Sequence, residues 1–418
     1  MAVKDEIKYR TLDQVDLAGK RVAVRVDLNS SLDPQTGMIR FNERFRAHAV
    51  TIGEMIARGA KVVILAHQGR RGNPDFIDLS QHARLLSRLL GREVCFVPDV
   101  AGDQAVKAIK DLEKGEVILL DNVRKLMDED VEKPPEEHAM STLPSRLAPL
   151  LDIFVLDAFS VAHRAHASVV GLAAVLPTYV GRAMEKELEA LNRLVTRTKK
   201  LVFMLGGNKP KECLSALNRF VNERRSSIMT ILTGGVVGQL FTKVRGYSLG
   251  EATDGFLAEK KHIDLLDTAS KIDSMLGEVV KIPFDFAYES GQKVREELPL
   301  SGLPCPGLIQ DIGSKTIQEY CMVIASLEPD VTVIVKGPMG VYEKPAFKVS
   351  TQQLYMALAK TRASTLIGGG DSVTAIEELG FKLFDFTFVS LGGGALISYL
   401  AGEPMPGLQV LSKKSENH

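Results

Sequence analysis

The chain has 418 residues, a length suited to two or three domains that each bury a core, with two expected. Its 52 basic residues balance 52 acidic ones, so neither a basic face for nucleic acid nor a polybasic membrane anchor is expected, and small anions met at a local patch are the anticipated partners. Residues Met1–Arg10 lack the apolar core of an export signal and no apolar run approaches the ~20 residues of a membrane span, which points to a cytoplasmic protein. Cys95, Cys213, Cys305 and Cys321 show no metal or disulfide spacing and read as reduced, mostly buried thiols. Monomer and homodimer both remain open.

From Arg21 onward, apolar strands alternate with amphipathic helical stretches, the pattern of a parallel sheet covered on both faces. Strands are predicted over Val22–Leu28, Val62–Ala66, Val94–Val97, Val117–Leu120 and Ile153–Asp157, and helices over Arg44–Arg58, Leu79–Leu90, Asp103–Leu112 and Leu143–Leu151. The acidic, proline-paired segment Asp128–His138 reads as a solvated loop. Gly181–Arg197 predicts one long helix between the halves, with Met184, Leu188, Leu191 and Leu194 as its apolar stripe, either a connector that carries a hinge motion or an ordinary core helix. The second half predicts strands over Leu201–Leu205, Ile228–Leu232, Val279–Pro283, Val331–Val335, Thr365–Ile367 and Phe386–Ser390.

Polar residues recur where the first-half strands end, the place where open α/β sheets bind ligands. Arg25-Val26-Asp27-Leu28-Asn29, His67-Gln68-Gly69-Arg70-Arg71, Asp121-Asn122-Val123-Arg124 and the run from Asp157 to His163-Arg164-Ala165-His166 each bring an Arg or His to one rim. Any one of these arginines also fits a surface ion pair, and His163 and His166 also fit core positions; their convergence in a chain without net charge suggests an anion pocket.

The second half carries glycine-rich strand-to-helix turns. In Ser364–Ala375 a short apolar run, Gly368-Gly369-Gly370, Asp371 and Ser372 precede helix-forming residues; glycines let backbone N–H groups approach an anion, and Asp371 beside phosphate implies an intervening Mg2+. The same pattern also describes a plain turn whose Asp caps the helix. Gly206-Gly207-Asn208-Lys209, Lys336-Gly337-Pro338-Met339-Gly340 with Glu343, and Ser390-Leu391-Gly392-Gly393-Gly394 repeat the theme. A basic pocket in one half and a metal–nucleotide cradle in the other suggest a kinase that closes its domains on two anionic ligands.

In order, the motifs RVDLN, AHQGR, LLDNVR, DAFSVAHRAHAS, GGNK, KGPMGVYE, GGGDS and SLGGGA closely resemble those of phosphoglycerate kinase, from about Val22 to Gly407, and look closest to its archaeal-type branch. The resemblance implies an α/β fold of two Rossmann-like, doubly wound parallel-sheet domains joined by a hinge helix. Residues 1–182, with the tail 402–418 packing back on them, would bind phosphoglycerate, and residues 183–401, including the interdomain helix 183–197, would bind nucleotide. It implies phosphoryl transfer between 1,3-bisphosphoglycerate and Mg-ADP, giving 3-phosphoglycerate and ATP, as in glycolysis. Asp27, Asn29, Arg44, His67, Gln68, Gly69, Arg70, Arg124 and Arg164 would hold the phosphoglycerate. Lys209, Gly337, Glu343, Gly368, Gly369, Gly370, Asp371 and Ser372 would hold ADP or ATP, with Asp371 on Mg2+ and Glu343 on the ribose. Arg44, Lys209, Gly370 and Gly393 would meet the transferring group.

The chain departs from the family pattern at several positions: Lys336 stands where most members have Asn, Leu391 where they have Thr, Cys213 at the second lysine of GGxKxxxK, and Arg71 where Pro follows GR, while LLENVRF has become LLDNVRKL. These changes support a second reading, a catalytically weak paralogue that binds ligands or regulates.

Overall fold

The computed structural model describes residues 9–291 and 294–413, and among them two compact units separate, residues 9–189 with 404–413 and residues 190–403. The expected boundaries at 1 and 418 lie outside the described residues.

In the first unit, strands β1 (Arg21–Arg25), β2 (Lys61–Leu65), β3 (Cys95–Val97), β4 (Val117–Leu120), β5 (Ile153–Leu156) and β6 (Thr178–Val180) form one sheet in the order β3-β4-β2-β1-β5-β6, parallel throughout. Their runs of Val, Ile and Leu are buried almost end to end, as strands covered by helices on both faces require. Arg25 pairs in register with both Leu65 and Leu156, so the segments after β1, β2 and β5 leave the sheet at one level. The chain moves from β1 to one side and later to the other, which opens a crevice at the ends of these central strands. The helix Pro406–Lys413 packs on the π-helical turn Ala167–Gly171 and on β6. Gly407 permits this approach: its N–H donates to Ala162 O at 2.8 Å, and a Cβ there would lie 2.9 Å from the Ala162 backbone.

In the second unit, β7 (Lys200–Leu205), β8 (Ile228–Thr233) and β9 (Val280–Lys281) join three later strands. Before those come β10 (Asp285–Glu289), β11 (Arg295–Pro299) and β12 (Ile309–Ile312), a separate antiparallel sheet in the order β11-β10-β12. With β13 (Val331–Lys336), β14 (Ser364–Gly368) and β15 (Phe388–Val389), the main sheet runs β15-β14-β13-β7-β8-β9, again parallel.

The predicted strands are present with shifted ends, but four more lie outside the pattern. β6 has only three residues, and β11 is the charged, largely exposed sequence REELP. The segment Leu143–Leu151 forms a short helix, Thr142–Leu147, and a 3-10 turn, Ala148–Leu150, instead of one helix. Arg182–Leu191 is α-helical, but the chain then widens into a π-turn, Asn192–Thr196, and the division between units falls inside this helix. Asp128–His138 is not simply a solvated loop: it contains the helical turn Pro135–His138 and buries both Glu129 and His138. All four cysteines are free thiols; Cys213 and Cys305 are buried, whereas Cys95 is exposed and Cys321 half-buried. No described helix is long and apolar enough to cross a membrane.

Candidate active site

In the first unit, Asn42 caps the helix Glu43–Ala57 by accepting from Arg44 N at 3.1 Å, and its Nδ2 donates to Ser30 Oγ at 2.8 Å. Arg44 is thereby fixed at the end of β1, where its Nη1 lies 3.2 Å from Asp27 Oδ2. Asp27 also accepts from Asn29 N at 3.0 Å and from the Ser160 hydroxyl. Burial by itself would raise the Asp27 carboxyl, but the Arg44 charge and these hydrogen bonds outweigh it and hold the group below the usual carboxylate range. It is a fixed anion around which the cations are ordered.

His67 is buried after β2, with Arg25 Nη2 at 3.1 Å from its Nδ1. A guanidinium only donates, so Nδ1 accepts and the ring proton sits on Nε2. Burial, with Arg25 next, lowers the imidazole well below its ordinary value, so His67 serves as a neutral donor. Gln68 is committed to the scaffold: Oε1 accepts from Ser30 N at 2.9 Å, and Nε2 donates to Ser30 O at 2.9 Å and Asp75 O at 3.1 Å. Gly69 N donates to Asn29 Oδ1 at 2.8 Å; the positive φ of Gly69 (+64°) and the 2.4 Å from its would-be Cβ to Asp75 O exclude a side chain.

Arg124, in the 3-10 turn Val123–Lys125 that Asn122 caps, is buried and donates to Gly69 O. Its pKa is lowered to about 10 by burial and then by the nearby charges of Arg25 and Arg164. Arg164 is half-buried and donates from Nε to His163 Nε2 at 3.2 Å, while Arg70 is exposed. The rim thus gathers side chains from the ends of β1, β2, β4 and β5.

Beneath it lies a layer absent from the predicted site. Arg25 Nε donates to Ser168 Oγ at 2.8 Å, and Ser168 donates to Glu129 from both its hydroxyl and its N–H. Burial pushes the Glu129 carboxyl up to about 7, against the pull of Arg25. Arg25 could have been suspected, since an arginine inside the apolar strand VAVRV must find buried partners. Nothing in DEDVEKPPEEH marked Glu129.

In the second unit, the turns after β7, β13 and β14 interlock. Gly206 N donates to Lys336 O at 2.8 Å, and Gly337 N donates to Ser372 Oγ at 2.8 Å. Ser372 is fully buried and joins the β13 turn to the helix Gly370–Glu378. Gly337 (φ +79°) has no room for a Cβ, which would fall 2.4 Å from Gly206 O. Gly368 ends β14, and Gly369 (φ +96°) caps the helix, so Gly370 and Asp371 begin its first turn, where N–H groups await an anion. Lys209 Nζ stands 3.1 Å from Asp371 Oδ2, both groups half-solvated. Gly393 (φ +54°) caps the helix Gly394–Ala401 after β15. Glu343 is exposed in the loop beyond the β13 turn; the neighbouring Tyr342 phenol is raised by burial and then by the carboxylates of Glu343, Glu378 and Asp371.

Among the described residues no group of three or more His, Cys, Asp or Glu side chains could hold a metal alone. One half-solvated carboxylate at a phosphate-type turn fits the usual Mg2+ arrangement, in which substrate phosphates and water complete the shell.

Fold and site together define a two-unit α/β protein with a cluster of arginines and a buried histidine at strand ends in one unit and glycine-rich strand-to-helix turns in the other. The family profile described as phosphoglycerate kinase matches residues 12–403. The chain is 37% identical over 415 residues to phosphoglycerate kinase of Methanothermobacter thermautotrophicus, covering 99% of each, and 38% identical over 414 residues to that of Saccharolobus solfataricus, again covering 99% of each. The crystal structure of phosphoglycerate kinase from Pyrococcus horikoshii superposes with a TM-score of 0.88 at 34% identity, over 98% of this chain and 100% of that one. The chain belongs to the phosphoglycerate kinase family.

Proposed function

We propose that this chain transfers the acyl phosphate of 1,3-bisphosphoglycerate to Mg-ADP, and runs the reverse reaction from 3-phosphoglycerate and Mg-ATP. The P–O bond to the acyl oxygen breaks as a P–O bond to the ADP terminal oxygen forms. The leaving group is a carboxylate and the attacking oxygen is already ionised, so no proton need move and no general base is required. Catalysis then rests on positioning and charge neutralisation.

The observation that carries this reading is the crowding of Arg25, Arg44, Arg124 and Arg164 with the neutral donor His67 at the ends of the first sheet. Such a cluster is relieved by an anion. Asp27, Asn29, Arg44, His67, Gly69, Arg70, Arg124 and Arg164 hold phosphoglycerate in this reading, and Gln68 shapes the pocket by fastening the Ser30 and Asp75 backbones. Arg44 reaches the transferring group.

Gly337, Gly368, Gly369, Gly370 and Ser372 form the nucleotide phosphate cradle, Glu343 takes the ribose, and Gly393 offers its N–H to the charge of the transferring group. Asp371 holds Mg2+, which when bound neutralises phosphate charge. Lys209 exchanges Asp371 for a phosphoryl oxygen, a cheap exchange because a solvated ion pair contributes only about 0–1 kcal/mol. A coupled assay with 3-phosphoglycerate and Mg-ATP tests the reading: turnover supports it, and folded protein that binds both ligands without turnover favours the weak-paralogue reading.

A further inference from the structure

Lys336 is the last residue of β13, in register with Gly368 of β14 and Leu205 of β7. It therefore sits where the glycine turns of both neighbouring strands leave the sheet. Its side chain is 8% exposed, and its ammonium is 3.0 Å from Glu212 Oε2 in the first turn of the helix Pro210–Arg224. A Cβ on Gly369 would fall 2.7 Å from Lys336 Nζ and 3.1 Å from Cδ. The lysine thus lies against the backbone of the phosphate-type turn, in space that only glycine leaves open.

Taking an ammonium out of water costs several kcal/mol, and one partner carboxylate that is itself 41% exposed compensates poorly. A phosphate on the Gly369–Asp371 turn would supply the missing charge. Cys213, the residue that follows Glu212 in this helix, supplies no cation. Burial pushes its thiol up to about 12, although Lys336 pulls the other way.

We propose that Lys336 is a nucleotide-phosphate ligand, providing from the strand end the positive charge that position 213 of the helix lacks in this chain. On binding Mg-ADP or Mg-ATP its ammonium leaves Glu212 for a phosphate oxygen. The proposal rests on the kinase reading and adds a residue to it.

The test is calorimetry of Mg-ADP with the full chain, alongside steady-state kinetics. Lys336→Asn should weaken Mg-ADP about 10-fold or more, the loss of one charge-assisted contact, with the KM for 3-phosphoglycerate unchanged. The double variant Lys336→Asn with Cys213→Lys should recover most of that loss, which a purely structural lysine would not allow. Glu212→Gln, at a half-solvated position, removes the competitor for the ammonium and should tighten Mg-ADP. Native-like Mg-ADP affinity in Lys336→Asn, no recovery in a folded double variant, or unchanged or weaker affinity in Glu212→Gln would overturn the proposal while leaving native turnover, and so the kinase reading, intact. A native chain that binds no Mg-ADP would remove both.

Discussion

Replacing Arg124 by Met keeps the length and apolar stem of the side chain but removes one buried cation from the anion pocket. Arg124 is 7% exposed, and its guanidinium is held against like charges from Arg25 and Arg164. A charge-assisted contact to a ligand at such a site contributes about 1.5–3 kcal/mol, which corresponds to roughly 10- to 150-fold in Kd. With 3-phosphoglycerate at about 100 times the native Kd, linkage stabilises the native protein by about 2.7 kcal/mol. A 100-fold weaker variant retains about 0.4 kcal/mol at the same concentration. For a unit of this size 1 kcal/mol corresponds to about 2–4 °C, so thermal denaturation should show a ligand-induced shift of roughly 5–11 °C in the native protein and about 1–2 °C in the variant. Mg-ADP should shift both equally. A variant stabilised by 3-phosphoglycerate as strongly as the native chain would refute the assignment of Arg124 to the pocket.

Other perturbations separate the remaining roles. Arg44→Ala should lower turnover by about 10²-fold or more, because its contact strengthens as charge shifts in the transition state; near-normal kcat would contradict that role. Glu129→Gln tests the buried layer. A carboxyl raised to about 7 in the folded chain favours folding fully below its ordinary 4.5 and loses that contribution as pH rises through 7, so native stability relative to the variant should fall by about 3 kcal/mol across that window, read by urea denaturation. Asp371→Asn should raise the Mg2+ concentration needed for half-maximal rate, with little change in the KM for 3-phosphoglycerate; an unaltered Mg2+ requirement would remove Asp371 as the metal ligand.

Much of this architecture was legible because β1, β2, β4, β5, β7 and β13 are apolar runs ending in polar or glycine-rich turns, and a parallel sheet places those ends along one edge. β6 and β11 were not. β6 is held by β5 and by a bridge from Val180 to Thr11, and β11 is charged along its length, so neither shows a hydrophobic period. The residues at each strand end could be named from the sequence, but their electrostatic layering could not. The role of Gln68 as a clamp on two backbone segments, and the chain from Glu129 through Ser168 and Arg25 to His67, join residues far apart in sequence and leave no local pattern. Lys336 was visible as an unusual residue, whereas its position against Gly369 emerged only from three-dimensional packing.

The central claim is phosphoryl transfer itself. Purified protein mixed with freshly generated 1,3-bisphosphoglycerate and Mg-ADP, quenched at intervals and assayed for ATP, should form ATP in step with 3-phosphoglycerate, and only when both substrates are present. No ATP formation above the uncatalysed rate, by folded protein shown to bind both substrates, would contradict the account.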